Sequence, residues 1–373
     1  MRVTRVFTAF FESEKAGGLV LILATLVSLI IANSPLQANY IALWEIPLGS
    51  HTLVDWINDG LMAIFFLLIG LELERELYNG ELSSIKNATL PLVGALGGMV
   101  VPALLFICFN SGLPTLSGAG IPMATDIAFA IGILSLLGKK VPASLKVFLT
   151  ALAVIDDLGA ILIIALFYTQ TLSFIYLIAA LSIWGLLLML NRLKIHSFWP
   201  YAIGGIFMWY CMLHSGIHAT LAGVLTAFAI PFSSGNKKST SYILQHWLHA
   251  PVAYFIIPIF ALANTCIVFE GDWTGGLLTT AGLGIYIGLV LGKPLGILLF
   301  SRIAVALNWC KIPEDVNWKI IAGAGILGGI GFTMSIFITT LAFSDGQHIV
   351  LSKMAILFAS LTAAILGLGW LSW

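Results

Sequence analysis

The feature of this sequence that most restricts its fold is a series of apolar segments that recurs along all 373 residues. A window of about 20 apolar residues is long enough to cross a bilayer as a helix. Because only 9% of the residues are charged, against about 25% in an ordinary soluble domain, the sequence predicts a multi-pass membrane protein. We place twelve spans in one domain, 1–373, at 16–33, 54–74, 89–110, 119–137, 146–168, 173–190, 199–212, 217–231, 248–268, 280–301, 320–342 and 350–371.

The spans are predicted to be helices. Long runs of Leu, Ile, Ala, Val and Phe are typical of a helix bundle, whereas barrel strands alternate in polarity over segments of roughly 10 residues. The fold class is therefore an all-α polytopic membrane protein, surrounded by the lipid bilayer. Residues 1–15 are expected to form an interfacial helix that leads into the first span. Lys+Arg and Asp+Glu number 17 each, so net charge does not indicate a nucleic-acid partner.

The basic residues predict the orientation. Fifteen of the 17 Lys and Arg lie at the N-terminus or in alternate connections, which the positive-inside rule assigns, with both termini, to the cytoplasm. They are Arg2, Arg5, Lys15, Arg75, Lys86, Lys139, Lys140, Lys146, Arg192, Lys194, Lys237, Lys238, Arg302, Lys311 and Lys319. The opposite loops carry Lys353 and acids, namely Glu45, Glu270, Asp272 and Asp345. This pattern favours an even number of spans.

Four charged residues lie deep within predicted spans. They are Asp126, the adjacent pair Asp156 and Asp157, and Lys293. A charge at the bilayer centre costs about 2.5–3.5 kcal/mol on insertion scales, so each requires a reason. A purely structural role would pair every acid with a base, but three acids face one base. At least one carboxylate is left to bind a proton or a cation.

Neighbouring side chains on a helix point about 100° apart. Asp156 and Asp157 therefore cannot face the same group, and one of them is free to pair with Lys293 while the other faces a water-filled cavity. Asp59, near the outer end of the second span, is a further acid that could line an outer funnel or simply join helices.

Two spans carry residues that interrupt helices. Gly118, Gly120 and Pro122 precede Thr125 in the fourth span, and five glycines occupy 323–331 in the eleventh. The Gly325–Gly329 pair also fits close helix packing. Interrupted spans in corresponding halves are typical of transporters with a midplane ion site.

Together these motifs resemble the NhaA family of bacterial sodium/proton antiporters. The resemblance rests on T-D in the fourth span, A-V-I-D-D-L-G-A in the fifth, G-K-P in the tenth and the glycine-rich eleventh, and it covers essentially the whole chain. It implies inverted repeats in which the interrupted fourth and eleventh spans cross. It also implies a location in the bacterial cell inner membrane.

The resemblance further implies the roles of individual residues. Asp157 is expected to be the main sodium ligand, assisted by Asp126 and Thr125, while Asp156 pairs with Lys293. Asp126 and Lys293 would balance the dipoles of the half-helices. No cofactor is expected, since the bound species are transported sodium or lithium ions and protons.

Regulation and assembly are implied in the same way. The pH-sensing residues would be Glu72, Arg75, Glu76, His246, His249 and His218. Gln245 departs from the family, since enterobacterial members have Glu there, which makes this cluster less acidic. An outward β-hairpin around 45–55 would join a homodimer.

The expected activity is the exchange of cytoplasmic sodium for external protons, electrogenic and regulated by pH. Protons and sodium would compete for one site that is alternately open to each side. A sodium-coupled organic-anion symporter is an alternative, although extra polar ligands for the anion are missing. An intramembrane aspartyl protease is another, although the chain has no GxGD motif. On the preferred interpretation the protein is not an enzyme.

Overall fold

The computed structural model of the chain describes residues 2–138, 141–168, 172–233, 239–269 and 276–372. Six charged residues used in the orientation prediction lie outside this part of the chain, namely Lys139, Lys140, Lys237, Lys238, Glu270 and Asp272.

The described residues fold almost entirely into helices. In chain order these are α1 (Arg2–Ala32), α2 (Gln37–Trp44), α3 (Leu53–Trp56), α4 (Met62–Asn79), α5 (Ile85–Asn110), α6 (Ile127–Leu136), α7 (Ala143–Phe167), α8 (Phe174–Arg192), α9 (Trp199–Ser215), α10 (Leu221–Ala229), α11 (Thr240–Pro251), α12 (Ile257–Asn264), α13 (Thr280–Ile287), α14 (Lys293–Ala306), α15 (Trp318–Gly328), α16 (Phe332–Ala342) and α17 (Gly346–Ser372). Short 3₁₀ segments cover Glu81–Ser83 and Pro114–Met123. π-Helical turns at Ile57–Leu61, Val252–Ile256 and Gly288–Gly292 join α3 to α4, α11 to α12 and α13 to α14.

Over the described residues, seven helices are long and apolar enough to span a membrane. They are Leu53–Asn79, Asn87–Asn110, Ala143–Phe167, Phe174–Arg192, Thr240–Asn264, Thr280–Ala306 and Gly346–Ser372. Two helix pairs qualify only as bent units: Pro114–Met123 with α6, bent by 42°, and α15 with α16, bent by 45°. The predicted helical multi-pass fold is confirmed, and the count of twelve spans stays a prediction.

Several helix ends differ from the predicted windows, most clearly in the ninth and the eighth. The ninth window, 248–268, corresponds to a helix that begins at Thr240, because the Ser239 hydroxyl caps it, and that ends at Asn264. The eighth, 217–231, contains only the shorter α10. Residues 2–15 form the first part of α1, which continues into the first span. Hydropathy windows do not detect caps, which decide where helices begin.

A two-stranded hairpin lies between α2 and α3, in the segment where the resemblance implied one. The strands β1 (Pro47–Leu48) and β2 (His51–Thr52) are antiparallel, with Pro47 opposite Thr52. Gly49 adopts a φ of +75° in the turn, a conformation that glycine takes without strain. The Thr52 side chain then caps α3.

Close backbone packing sets the position of Lys293. A Cβ atom at Gly97 of α5 would overlap the carbonyl oxygen of Gly296 in α14, and the reverse holds for Gly296. The two helices therefore approach as closely as only glycine allows. The π-helical turn Gly288–Gly292 ends immediately before Lys293, and such turns are frequent at functional sites.

Candidate functional site

Asp156 forms a buried ion pair with Lys293. The Lys293 Nζ lies 2.9 Å from Asp156 Oδ2, and both side chains are fully buried. The same Nζ donates a hydrogen bond to the carbonyl oxygen of Met123. The Thr125 hydroxyl lies 2.7 Å from Asp156 Oδ2 and 3.0 Å from the Gly328 carbonyl oxygen, so it has two acceptors within reach. The charge of Asp156 is thus neutralised and partly hydrogen-bonded within the protein.

Asp126 joins the breaks of the two bent helix pairs. Its Oδ1 accepts a hydrogen bond of 2.9 Å from the Phe129 N–H and thereby caps α6. Its Oδ2 accepts bonds from the N–H of Thr333, at 3.1 Å, and from the Thr333 hydroxyl. Its own N–H donates to the Ile330 carbonyl at 2.7 Å. The break at 124–126 and the break at 329–331 therefore hold each other through main-chain as well as side-chain atoms.

The charges at the breaks match the ends of the half-helices. Asp126 places a carboxylate at the N-termini of α6 and α16, where unpaired N–H groups carry partial positive charge. Lys293 places an ammonium group at Met123, the C-terminal end of the 3₁₀ segment, where carbonyl groups carry partial negative charge. The Thr125 hydroxyl reaches Gly328, the last residue of α15.

Asp157 has a different environment from its neighbour. It is 1% exposed, and neither of its carboxylate oxygens has a hydrogen-bond partner among the described residues. It lines a cavity of about 60 Å³, together with Asp126, Thr333, Glu72 and His249. A water molecule needs about 10–15 Å³ of such volume, so the cavity has room for several water-sized groups.

The predicted ion ligands do not form one compact cage. Within the described ranges, no group of three or more His, Cys, Asp or Glu side chains is arranged to hold a metal ion. Asp156 faces Lys293, Asp126 faces the two breaks, and Asp157 faces the cavity. Of the four predicted ligands, Asp126 and Asp157 line the cavity, whereas Asp156 and Thr125 contact each other beside it.

Five of the six residues predicted to sense pH divide into two groups. Glu72 and His249 line the same cavity as Asp157, and Gln245 is buried. Arg75 and Glu76 form a partly exposed ion pair, with 3.4 Å between Arg75 Nη2 and Glu76 Oε1. Neither residue lines the cavity. His246 is exposed, and its ring lies 4.1 Å from that of Tyr242.

Two predicted residues lie away from this site. His218 is in the connection between α9 and α10, where its Nε2 lies 2.9 Å from the Tyr168 carbonyl oxygen. Asp59 is in the π-helical turn Ile57–Leu61, and its main-chain oxygen accepts a bond of 2.8 Å from the Trp209 indole. Neither lines the cavity around Asp157.

Sequence reasoning missed one residue at the site, Thr333, and one buried acid, Glu74, in the same helix as Glu72. Thr333 follows the glycine run directly, in G-F-T-M-S, and a hydroxyl residue at the start of a helix after a break could have drawn attention to it. Glu74 is 5% exposed and accepts a bond of 3.3 Å from the Ser241 hydroxyl. Glu74 is one of three glutamates in the motif G-L-E-L-E-R-E-L, and the sequence does not show which of them is buried.

Comparison with known proteins gives consistent matches over the whole chain. The sequence model of a family described as Na+/H+ antiporter 1 matches residues 8–371. The Na(+)/H(+) antiporter NhaA 1 of Flavobacterium johnsoniae is 62% identical over 98% of this chain and 96% of its own length. The Na(+)/H(+) antiporter NhaA of Cytophaga hutchinsonii is 61% identical over 100% of this chain and 96% of its own.

A solved structure shares the fold. The structure of the sodium proton antiporter MjNhaP1 from Methanocaldococcus jannaschii, solved at pH 8, aligns with this protein with a TM-score of 0.55. The alignment covers 100% of this chain and 99% of that chain. Its sequence identity is only 14%, so the likeness concerns the fold alone.

Proposed function

This chain belongs to the NhaA family of Na+/H+ antiporters, and from its geometry we propose the way in which it exchanges sodium ions for protons. It is a multi-pass membrane transporter and not an enzyme. The family assignment displaces the symporter and the protease as interpretations of the buried carboxylates.

Asp157 is the residue at which the exchange takes place. The observation that carries this proposal is a buried carboxylate with two unpartnered oxygens, among the residues described, that opens onto a cavity. An unpaired carboxylate in a medium of low dielectric constant binds either a proton or a cation. Sodium and protons therefore compete for Asp157, and occupation by one displaces the other.

Competition becomes transport when the site is open to one side at a time. A cytoplasmic sodium ion enters the cavity and releases protons, the site reorients, and external protons then displace the sodium ion. Lithium is expected to follow the same route. No cofactor takes part, because the carboxylate itself binds both transported species.

The residues around Asp157 have supporting roles. Asp156 and Lys293 form the compensating pair, and Lys293 together with Asp126 balances the ends of the half-helices. Asp126 and Thr125 assist in binding sodium when they exchange their present partners for the ion. Exchange is electrogenic if Asp156 or Lys293 gives up a second proton in each cycle.

Regulation by pH acts through groups at the end of α4 and in α11. Glu72 and His249 line the cavity, so their charge acts directly on an entering cation. Arg75, Glu76 and His246 set the field around them. His218 links the connection before α10 to Tyr168, and Asp59 belongs to an outer funnel.

The wider architecture completes the proposal. The chain is one domain of twelve spans built as inverted repeats, and the two bent pairs, already joined by Asp126, cross at the midplane. The protein lies in the bacterial inner membrane with both termini cytoplasmic. The hairpin β1–β2, whose Pro47 and Leu48 are exposed, pairs two copies as a homodimer.

Sodium-induced proton release from purified protein, measured across pH, tests the assignment. The wild type should release protons at alkaline pH, and Asp157→Asn should release at least about tenfold fewer, because an amide cannot bind the exchanged proton. Asp345→Asn is the matched control, since Asp345 is an exposed acid with a side chain 63% accessible.

Two results would contradict the proposal. Absence of sodium-dependent release from the wild type would refute exchange at this site. Retained sodium/proton exchange by Asp157→Asn in everted vesicles would show that the exchange takes place at another residue.

A further inference from the structure

We propose that Thr333 supplies a further oxygen ligand to the transported cation, with its lone pairs held towards Asp157 by the hydrogen bond that its hydroxyl donates to Asp126. The proposal rests on the proposed function of Asp157. It assigns to the start of α16 a part in binding the ion, in addition to its part in closing the break.

The position of Thr333 is fixed from two directions. Its N–H lies 3.1 Å from Asp126 Oδ2, and its hydroxyl donates to the same oxygen. Thr333 is 5% exposed, and its β-branched side chain has few rotamers available in a helix. The hydroxyl oxygen therefore has a defined place beside the carboxylate of Asp126.

The hydrogen bond determines which way the hydroxyl faces. A threonine hydroxyl has one proton and two lone pairs, so an oxygen that gives its proton to a carboxylate can still accept or coordinate through its lone pairs. Thr333 lines the cavity that Asp157 and Asp126 also line. Thr333 thus belongs to the wall of the space in which the cation is proposed to lie.

A cation beside Asp157 needs more oxygen atoms than this residue provides. Hard metal cations are coordinated by several oxygens from carboxylates, carbonyls, hydroxyls and water. Both carboxylate oxygens of Asp126 already accept bonds from N–H groups, which reduces their capacity. A neutral hydroxyl adds an oxygen without adding another negative charge to a buried cluster.

The other threonine at the site faces a different direction. Thr125 is fully buried, its hydroxyl reaches Asp156 and the Gly328 carbonyl, and it lies outside the cavity lining. Of these two threonines, Thr333 is therefore the one that lines the cavity. Thr125 reaches the cation only after leaving Asp156.

The experiment compares substitutions that retain or remove the hydroxyl. In everted vesicles at fixed alkaline pH, Thr333→Val should raise the half-maximal sodium concentration about tenfold, which corresponds to about 1.4 kcal/mol, with the maximal rate within about twofold of wild type. Thr333→Ser retains the hydroxyl and should behave as the wild type. Thr339→Val is the matched control, because Thr339 is buried in the same helix and its hydroxyl bonds the carbonyl of Ser335.

A second variant without the hydroxyl keeps the test valid if Thr333→Val does not fold. Thr333→Ala keeps the N–H bond to Asp126 and should give the same rise in half-maximal sodium concentration. An unchanged or lower value in both hydroxyl-free variants would overturn the proposal, as would an equal rise in Thr333→Ser or Thr339→Val.

Asp157→Asn in the same assay separates the two proposals. If that variant still exchanges sodium, the proposed function of Asp157 fails. If it loses exchange while Thr333→Val and Thr333→Ala retain wild-type sodium dependence, only the assignment of Thr333 fails.

Discussion

On one side of α7 the carboxylate of Asp156 meets an ammonium group and a hydroxyl, while on the other side the carboxylate of Asp157 meets a cavity and has no described hydrogen-bond partner. The two residues are chemically identical and adjacent in the chain. A rotation of about 100° between them is enough to separate a charge that is compensated from one that faces a cavity. The contrast shows that position around a helix decides which partners each of two neighbouring acids meets.

The largest effect is expected when the ion pair between Asp156 and Lys293 is disrupted. Lys293→Met should lower the free energy of unfolding by about 3–5 kcal/mol, because Asp156 would remain buried without its counter-charge. Thermal unfolding of the detergent-purified protein measures the loss. The double variant Asp156→Asn with Lys293→Met should recover most of it, and a double variant as unstable as the single would show that the pair is not the cause.

A smaller effect on stability is expected at Asp157, which faces the cavity. Sodium at about 100 times its dissociation constant should stabilise the wild type by about 2.7 kcal/mol, because the ion binds the folded state. Asp157→Asn should lose this sodium-dependent stabilisation while retaining the stability of the sodium-free protein. Sodium titration of the thermal midpoint, with choline as the control cation, checks both statements. Equal stabilisation of the two proteins would contradict the contrast between the two acids.

The Thr125 hydroxyl, which contacts Asp156, is expected to contribute less to stability. Thr125→Val should lower the free energy of unfolding by about 1–3 kcal/mol, because a buried acceptor on Asp156 loses a donor. Thr125→Ser should restore the wild-type value in the same thermal assay. Equal stabilities for all three proteins would mean that the hydroxyl does not stabilise the pair.

The smallest change in stability is expected at the end of α4. Arg75→Gln breaks a partly exposed pair with Glu76 and should alter the free energy of unfolding by no more than about 1 kcal/mol. Arg75 lies one turn after Glu72 in α4, so removing its positive charge makes the potential at the cavity more negative, and half-maximal exchange should move to higher pH. Measuring exchange across pH in vesicles gives the shift, and an unchanged profile would exclude Arg75 from regulation.

Much of the fold follows from local patterns. Apolar windows predicted helical spans, because lipid requires each span to satisfy its own backbone, and seven helices of the described residues are long and apolar enough to be spans. The glycine and proline runs indicated the neighbourhood of both interruptions, and the structure has breaks at 124–126 and 329–331. The ends of the ninth window were misplaced because the Ser239 cap and the end at Asn264 are local features that hydropathy does not register.

The site was accessible from sequence only in part. Counting three deep acids against one base showed that a carboxylate would remain unpaired, since charge balance needs no coordinates. Counting could not show that Thr333 binds Asp126, because these residues are separated by 207 positions in the chain. For the same reason it did not show that His249 lines the cavity whereas His246 is exposed.

Hydropathy and charge can be read along the chain without coordinates, and they identify a helical membrane protein with an excess of buried acid. Which acid is in excess depends on the tertiary structure. Packing of α14 against α5 through Gly97 and Gly296 brings Lys293 to Asp156, and contact between the two breaks engages Asp126. Asp157 is left facing the cavity, since only the three-dimensional arrangement of distant segments determines the partners of a buried charge.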